Sequence, residues 1–237
     1  MTVEVLDLLS RSLAPQRQVL RAGDAIYRAG ERFGHLYILN AGFVKIVKRT
    51  PEGQDQIVGL KMRGDWLGFD GIANGSYLSD ALALDTGEVW VMRYDALLAA
   101  SLGQPRLLRV LHEAMSRAIN HSRDSLISIC SLPADARVAR FLRDWAASLA
   151  SRGLRTDRFC LRMTRAEIGN YLGMTLETVS RALSKLARDG VIAFAGKGRR
   201  DIVVPDAVAL SRFVQHGPPL PARDEMATPA SAHATHS

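Results

Sequence analysis

Short apolar segments alternate with glycine-bearing turns in the first half of the chain. Seven strands are predicted on this pattern, at Val19–Leu20, Ala25–Tyr27, Leu36–Leu39, Phe43–Val47, Gln56–Leu60, Ala81–Leu84 and Val89–Met92. Many short strands joined by turns that contain glycine are typical of a β-sandwich or a jelly roll. We therefore predict a β jelly roll over residues 1–103.

The period of the pattern changes after Pro105. One set of positions recurs at alternating spacings of four and three, namely Leu108, His112, Met115, Ile119, Ser122, Leu126 and Ile129. This heptad pattern predicts a long helix over residues 104–132. The helix can pack on its own domain or against its copy across a two-fold axis. We favour the copy, because little else covers a helix that joins two domains, and expect five residues at the dimer interface: Leu108, Met115, Ile119, Leu126 and Ile129.

A helix from Arg137 to Ala150 and two shorter helices are predicted next. Thr164 and Glu167 have the spacing of a capping box, in which the hydroxyl caps the helix and the carboxylate reaches back. Thr175 is placed to cap the next helix, Leu176 to Arg188, after a sharp turn at Gly173. Two helices joined in this way predict a helix-turn-helix, whose second helix enters the major groove of DNA.

A basic hairpin and a tail complete the chain. The apolar stretches Val191–Ala195 and Ile202–Val204 flank a turn that contains Lys197, Arg199 and Arg200, a wing suited to phosphates. We therefore predict a winged helix-turn-helix over residues 133–208, and an α+β fold for the whole chain. A disordered tail is predicted over residues 209–237, where four of the nine prolines lie.

The positive charge of the chain is concentrated in one segment. The 237 residues carry a formal net charge of +7, and residues 133–204 alone hold 14 Lys/Arg against 7 Asp/Glu. Residues 1–103 hold 11 Lys/Arg against 12 Asp/Glu. A basic domain beside a neutral one favours a module that binds a polyanion, since a surface that only keeps the protein soluble would spread its charge more evenly.

Three polar residues lie on one face at the start of the second helix of the motif. Glu177, Ser180 and Arg181 have the spacing i, i+3 and i+4. An arginine can bond guanine O6 and N7, and a glutamate can accept from cytosine N4. The same spacing allows a Glu177–Arg181 salt bridge, and the two roles are compatible. The full set of predicted DNA-binding residues is Thr164, Arg165, Thr175, Glu177, Thr178, Ser180, Arg181, Lys185, Lys197, Arg199 and Arg200.

The segment MTRAEIGNYLGMTLETVSRALSKLARDGVIAFAGKG resembles the winged helix-turn-helix of the CRP/FNR transcription regulators. Its E-x-x-S-R pattern is that of the FNR branch, and LYILNAGFVKIV and GDWLGFDGI are similar to the FNR-type barrel. The resemblance covers about residues 15–210. It implies a cyclic-nucleotide-binding-like sensor barrel, a homodimer on an inverted repeat of TTGAT-like half-sites, and an activator whose partners are double-stranded DNA and RNA polymerase.

Two signals known in this family do not match. A four-cysteine iron–sulfur cluster needs four thiolates, whereas this chain has only Cys130 and Cys160. Members that bind cyclic nucleotides carry Gly-Glu and Arg-Ser-Ala, whereas this chain has Gly68-Phe69 and Ser79-Asp80-Ala81, where Asp80 would repel a phosphate. No cofactor is predicted. Haem or another ligand in the barrel, thiol redox chemistry and constitutive activity all stay open as the mode of control.

Cys160 is a candidate redox switch. Its alternation with apolar neighbours places it on the same side as Arg162, facing away from the core, and Arg158 and Arg162 are expected to lower the pKa of its thiol. The alternative is a partly covered thiol without a role.

Other functional classes find little support in the chain. No apolar run approaches the roughly 18 residues of a membrane span, and residues 1–20 lack a signal-peptide core, so we expect a soluble cytoplasmic protein with no membrane partner. No metal-ligand spacing or phosphate loop is found, so we expect neither an enzyme nor a metal site. The alternative function is a cyclic-nucleotide-responsive regulator or nucleotide-binding module.

Overall fold

The computed structural model describes residues 3–196 and 200–216. Its first part consists of a helix, eight strands and a short 3-10 helix at Phe69–Gly71: α1 (Val3–Leu13), β1 (Gln16–Leu20), β2 (Ala25–Tyr27), β3 (His35–Ala41), β4 (Phe43–Arg49), β5 (Asp55–Met62), β6 (Trp66–Leu67), β7 (Asp80–Ala83) and β8 (Gly87–Arg93). The strands form two antiparallel sheets, ordered β1-β8-β3-β6 and β2-β7-β4-β5. The predicted β jelly roll is confirmed.

Side chains that alternate along the strands fill the space between the sheets. Tyr37, Leu39 and Val44 are buried there with Tyr27 and Tyr77, whose rings stack with centroids 4.1 Å apart. The phenol hydroxyls of the tyrosines and the buried hydroxyl of Ser79, which hydrogen-bonds to Tyr27, are polar groups within this core.

Two helices follow the jelly roll, α2 (Tyr94–Gly103) and α3 (Pro105–Ser131). The first half of α3 buries Leu107, Val110 and Leu111 against the outer face of the first sheet, beside Trp66 and Trp90. Its second half leaves the sheet. Although α3 has 27 residues, no helix in the described part of the chain is long and apolar enough to cross a membrane.

The remaining elements form a compact basic unit. They are α4 (Ala134–Ala150), β9 (Arg158–Cys160), α5 (Arg165–Leu172), α6 (Leu176–Arg188), β10 (Ala193–Phe194), β11 (Asp201–Val203) and α7 (Ala207–His216). The three strands pair antiparallel in the order β10-β11-β9. Helices α4, α5 and α6 share one core, which includes Leu142, Trp145, Ile168, Val179 and Leu183.

Most predicted elements are confirmed, with small shifts at their ends, but α1, α2, β6 and β9 were not predicted. β6 is too short to show alternation, and the apolar residues of α2 are spread around the helix. The predicted tail from residue 209 is wrong for its first residues, because α7 continues to His216 and buries Leu210 and Phe213 against α4. The rest of that tail lies outside the described residues.

Candidate nucleic-acid interface

The two helices of the motif begin at capped positions, as predicted. Thr164 Oγ1 accepts from the backbone N–H of Glu167, and Glu167 Oε2 accepts from the N–H of Thr164 at 2.8 Å. Thr175 Oγ1 accepts from the N–H of Thr178 at 3.2 Å. These bonds satisfy donors that a helix start leaves free, and fix where α5 and α6 begin.

Two glycines allow the tight crossing of α5 and α6. Gly173 ends α5 with φ at 65°, a left-handed conformation that favours glycine. A Cβ on Gly169 would lie 2.6 Å from the carbonyl oxygen of Met174, so any side chain there would push the helices apart. The close crossing holds the start of α6 at a fixed angle to α5.

The start of α6 presents Glu177 and Arg181 to solvent. Among the described residues no ion pair joins them; Arg181 Nη2 lies 3.4 Å from Thr178 Oγ1 instead. Hydrogen bonds from its own backbone and from Thr175, and then the charge of Arg181, lower the pKa of Glu177 below its usual range. The carboxylate is therefore ionised at neutral pH. The Glu177–Arg181 salt bridge considered from the sequence is not formed.

Ser180 and Arg165 lie together at this face, each half-buried. Arg165 Nη1 donates to Ser180 Oγ at 2.9 Å. This pairing was not foreseen from the sequence, because the two residues belong to different helices.

Lys185 lies one turn after Arg181 on α6 and is paired with a carboxylate of α4. Its ammonium pairs with Asp135 of α4, with 2.5 Å between Nζ and Oδ2. The charge of Lys185 is therefore compensated within the protein.

The wing lies beside the motif. Leu161 donates its N–H to the carbonyl of Arg200, whose side chain is exposed. A groove of about 260 Å³ is lined by residues of α5, α6 and the wing, including Thr164, Arg165 and Arg200. Lys197 and Arg199 lie outside the described residues.

The predicted interface face of α3 is largely uncovered in the single chain. Leu108 is 37% exposed, Ile119 50% and Leu126 62%, and Met115 and Ile129 are half-buried. Large apolar side chains at this exposure, aligned along one helix, form a continuous strip that a second surface can cover.

Polar contacts clamp α5 onto β4 and β5. Lys45 Nζ lies 2.6 Å from Glu167 Oε1, and Asn170 accepts from the N–H of Ile57 and donates to the carbonyl of Asp55. Burial raises the pKa of Glu167, but hydrogen bonds from Lys45 and Thr164 outweigh it and hold that pKa below its usual range. These contacts were missed from the sequence, since their partners lie more than 110 positions apart.

The barrel carries one carboxylate directly after Gly68-Phe69 and one within Ser79-Asp80-Ala81, the two segments that differ from the cyclic-nucleotide-binding members of the family. Ser79 Oγ donates to Asp70 Oδ2 at 2.6 Å, and Asp80 Oδ1 accepts from the N–H of Ala29 at 2.7 Å. Both carboxylates are therefore held in place by hydrogen bonds within the fold.

The prediction that Arg158 and Arg162 lower the pKa of Cys160 is wrong. Burial raises the pKa of the thiol, the charge of Arg162 opposes this, and Asp201 adds to the increase. Arg162 is itself paired with Asp85 at 3.1 Å. Burial and Asp201 together outweigh the positive charges near Cys160, so its surroundings do not favour a thiolate.

Comparisons with known proteins agree with this geometry. The Crp-like helix-turn-helix domain family matches residues 136–213, and the cyclic nucleotide-binding domain family matches residues 17–101. The fumarate and nitrate reduction regulatory proteins of Salmonella typhimurium and Escherichia coli are each 32% identical to the chain over 205 residues, or 86% of this chain and 81% of theirs.

Solved structures share the arrangement. FixK2 from Bradyrhizobium japonicum is 29% identical, with a TM-score of 0.73 over 84% of this chain and 96% of its own. A transcriptional regulator of the CRP family from Thermus thermophilus shares the fold, with a TM-score of 0.68 at 22% identity over 84% of this chain and 96% of its own.

Proposed function

Because the chain belongs to the CRP/FNR family of DNA-binding transcription regulators, we propose that it acts as a homodimer on an inverted repeat of TTGAT-like half-sites. The observation that carries this proposal is the capped start of α6, which presents Glu177 and Arg181 to solvent with Arg165 and Arg200 beside them. An exposed helix start with basic flanks suits the major groove and its phosphates.

Each residue type suggests a role. Arg181 bonds the guanine of the half-site, Glu177 accepts from a cytosine N4, and Ser180 faces the preceding base step. Thr164, Arg165, Thr175 and Thr178, with the basic wing, contact phosphates. We assign no DNA contact to Lys185, because Asp135 holds its ammonium.

The uncovered strip on α3 supports the dimer. Regulators of this family act as dimers, and pairing α3 with its copy would bury Leu108, Ile119 and Leu126, which the single chain leaves exposed. A two-fold dimer would place its recognition helices about one helical turn apart, ~34 Å, in successive major grooves.

An activating role through RNA polymerase completes the proposal. It rests on the loop from Ala73 to Ser76, which resembles the polymerase-contacting loop of the family. This loop turns at Gly75 and is tied to the barrel by the bridge between Arg32 and Ser76.

A binding titration tests the core of the proposal. The purified protein should bind a duplex with two inverted TTGAT half-sites more tightly than a scrambled duplex of equal length, by at least about 1,000-fold. Equal affinity for the two duplexes would contradict it.

The wing is expected to contribute affinity without sequence preference. Lys197→Ala or Arg199→Ala should weaken binding to operator and scrambled duplexes alike. Each substitution should also flatten the salt dependence, by roughly one unit of slope for each phosphate that the variant no longer neutralises. Titrations at several salt concentrations measure both effects. Weaker binding to the operator alone would mean that the wing reads bases.

The barrel match raises a second candidate, a regulator that responds to cyclic nucleotides. Asp70 and Asp80 oppose it, since a phosphate would meet two carboxylates, and the arginine of the family's Arg-Ser-Ala element is replaced in Ser79-Asp80-Ala81. Calorimetric titration with cyclic AMP should therefore show no saturable binding in the micromolar range, while operator binding stays the same with and without the nucleotide. Micromolar binding would establish the second candidate.

A further inference from the structure

The hydroxyl of Ser180 differs from other helix serines in its hydrogen bonding. The hydroxyls of four such serines donate to the carbonyl four residues earlier, those of Ser101, Ser122, Ser131 and Ser211. Ser180 Oγ is instead 2.9 Å from Arg165 Nη1. Because a guanidinium carries only donors, Ser180 is the acceptor. Its own proton has no acceptor within the residues that the structure describes.

Arg165 is held in place for this contact. It is the first residue of α5, directly after the cap Thr164, and the close crossing at Gly169 brings α5 against α6. The guanidinium has no carboxylate within 4 Å in the described ranges, and it donates to Ser180. The remaining N–H groups of the guanidinium point in fixed directions, because the group is planar and rigid.

We propose that Arg165 is a positioning residue for base recognition. By donating to Ser180 Oγ, it turns the serine proton outward, so that Ser180 reads the DNA as a hydrogen-bond donor. The half-site must then present an acceptor at the base step that Ser180 faces. This inference rests on the proposed entry of α6 into the major groove.

Replacing thymine with cytosine exchanges a hydrogen-bond acceptor for a donor at that position of the strand. Thymine presents O4, an acceptor, in the major groove, whereas cytosine presents the donor N4–H₂. The test therefore compares a TTGAT operator with a duplex in which cytosine replaces the thymine before the guanine in both half-sites. The dissociation constant on the cytosine duplex divided by that on the thymine duplex, here called the T/C ratio, measures the preference for thymine.

The wild-type protein should prefer thymine by at least about fivefold. Ser180→Ala and Arg165→Met should each reduce the T/C ratio to about twofold or less, a change typical of the removal of one hydrogen bond. Methionine keeps the apolar stem of the arginine, so packing at α5 is retained. In the double variant the ratio should fall no further, because the two residues act as one unit.

Arg200→Met is the matched control. Arg200 is exposed and lines the same groove as Arg165, and its replacement by methionine removes the same positive charge. This variant should bind both duplexes more weakly by the same factor and keep the wild-type T/C ratio. Thermal unfolding of each variant checks that the helix-turn-helix remains folded.

Two results would overturn the inference. If Arg165→Met weakens both duplexes equally and keeps the wild-type T/C ratio, Arg165 only contacts phosphate. If the reductions in discrimination add in the double variant, the residues act separately. A wild-type protein that binds operator and scrambled duplexes equally would instead overturn the proposed function itself.

Discussion

Replacing Ile119 with glutamate is expected to convert the protein into a monomer and to weaken operator binding by at least about 100-fold. Ile119 lies at the middle of the exposed apolar strip on α3 and is 50% exposed in the single chain. In the subunit alone the change is mild, because glutamate forms helices well. Across a two-fold axis it would bring two buried carboxylates close together, at a cost of several kcal/mol for each ion.

Asn120→Glu is the control for this experiment. Asn120 is the next residue along α3, is exposed, and points about 100° away around the helix. It receives the same negative charge but should leave the dimer and the operator affinity unchanged. Light scattering after gel filtration gives the mass of each variant, and the operator titration gives the affinity. An Ile119→Glu protein that stays dimeric and binds operator as the wild type does would show that the interface lies elsewhere.

Local signals made the helix-turn-helix predictable to the residue. The capping box needs only Thr164 and Glu167, three positions apart, and the turn needs only a residue that tolerates the left-handed conformation at Gly173. Both are properties of short segments, so they can be read without knowing the rest of the fold. The same holds for the heptad spacing of α3.

Contacts between distant segments could not be predicted in this way. The ion pair of Lys45 with Glu167 and the bonds of Asn170 to β5 depend on how α5 packs against the jelly roll. Helix α7 was missed because its apolar face is short, and its burial depends on packing against α4, which the sequence does not show. The pKa of Cys160 was predicted in the wrong direction because the sequence shows nearby arginines but neither burial nor Asp201.

The contacts between α5 and the jelly roll give the capping box a second structural role. Glu167 caps α5 through Thr164 and also binds Lys45 of β4 through its other carboxylate oxygen. One side chain therefore couples the start of the first helix of the motif to the second sheet of the barrel.

Replacing Arg181 with alanine is expected to remove the preference for the guanine of the half-site. The cost should be on the order of 1–3 kcal/mol per half-site, because a bidentate arginine–guanine pair contributes about this much to discrimination. The stability of the fold should not suffer, since the side chain is exposed and contacts only Thr178 in the described part of the protein, and alanine favours the helix. The decrease in affinity would then report the base contact alone.

Comparing three duplexes separates base reading from phosphate contact. Arg181→Ala should weaken binding strongly on a TTGAT operator and only slightly on a scrambled duplex. The preference for the operator over a CRP-type site should persist, because those two kinds of site differ at the base step that Ser180 faces. Arg188→Ala removes the same charge near the end of α6, two turns further from the helix start, and should preserve those preferences. Equal decreases in affinity on all three duplexes for Arg181→Ala would show that Arg181 contacts only phosphate. A wild-type preference for TTGAT that disappears with Arg181 alone would instead identify this side chain as the reader of the G·C pair, because Glu177 and Ser180 remain in place at the same helix start.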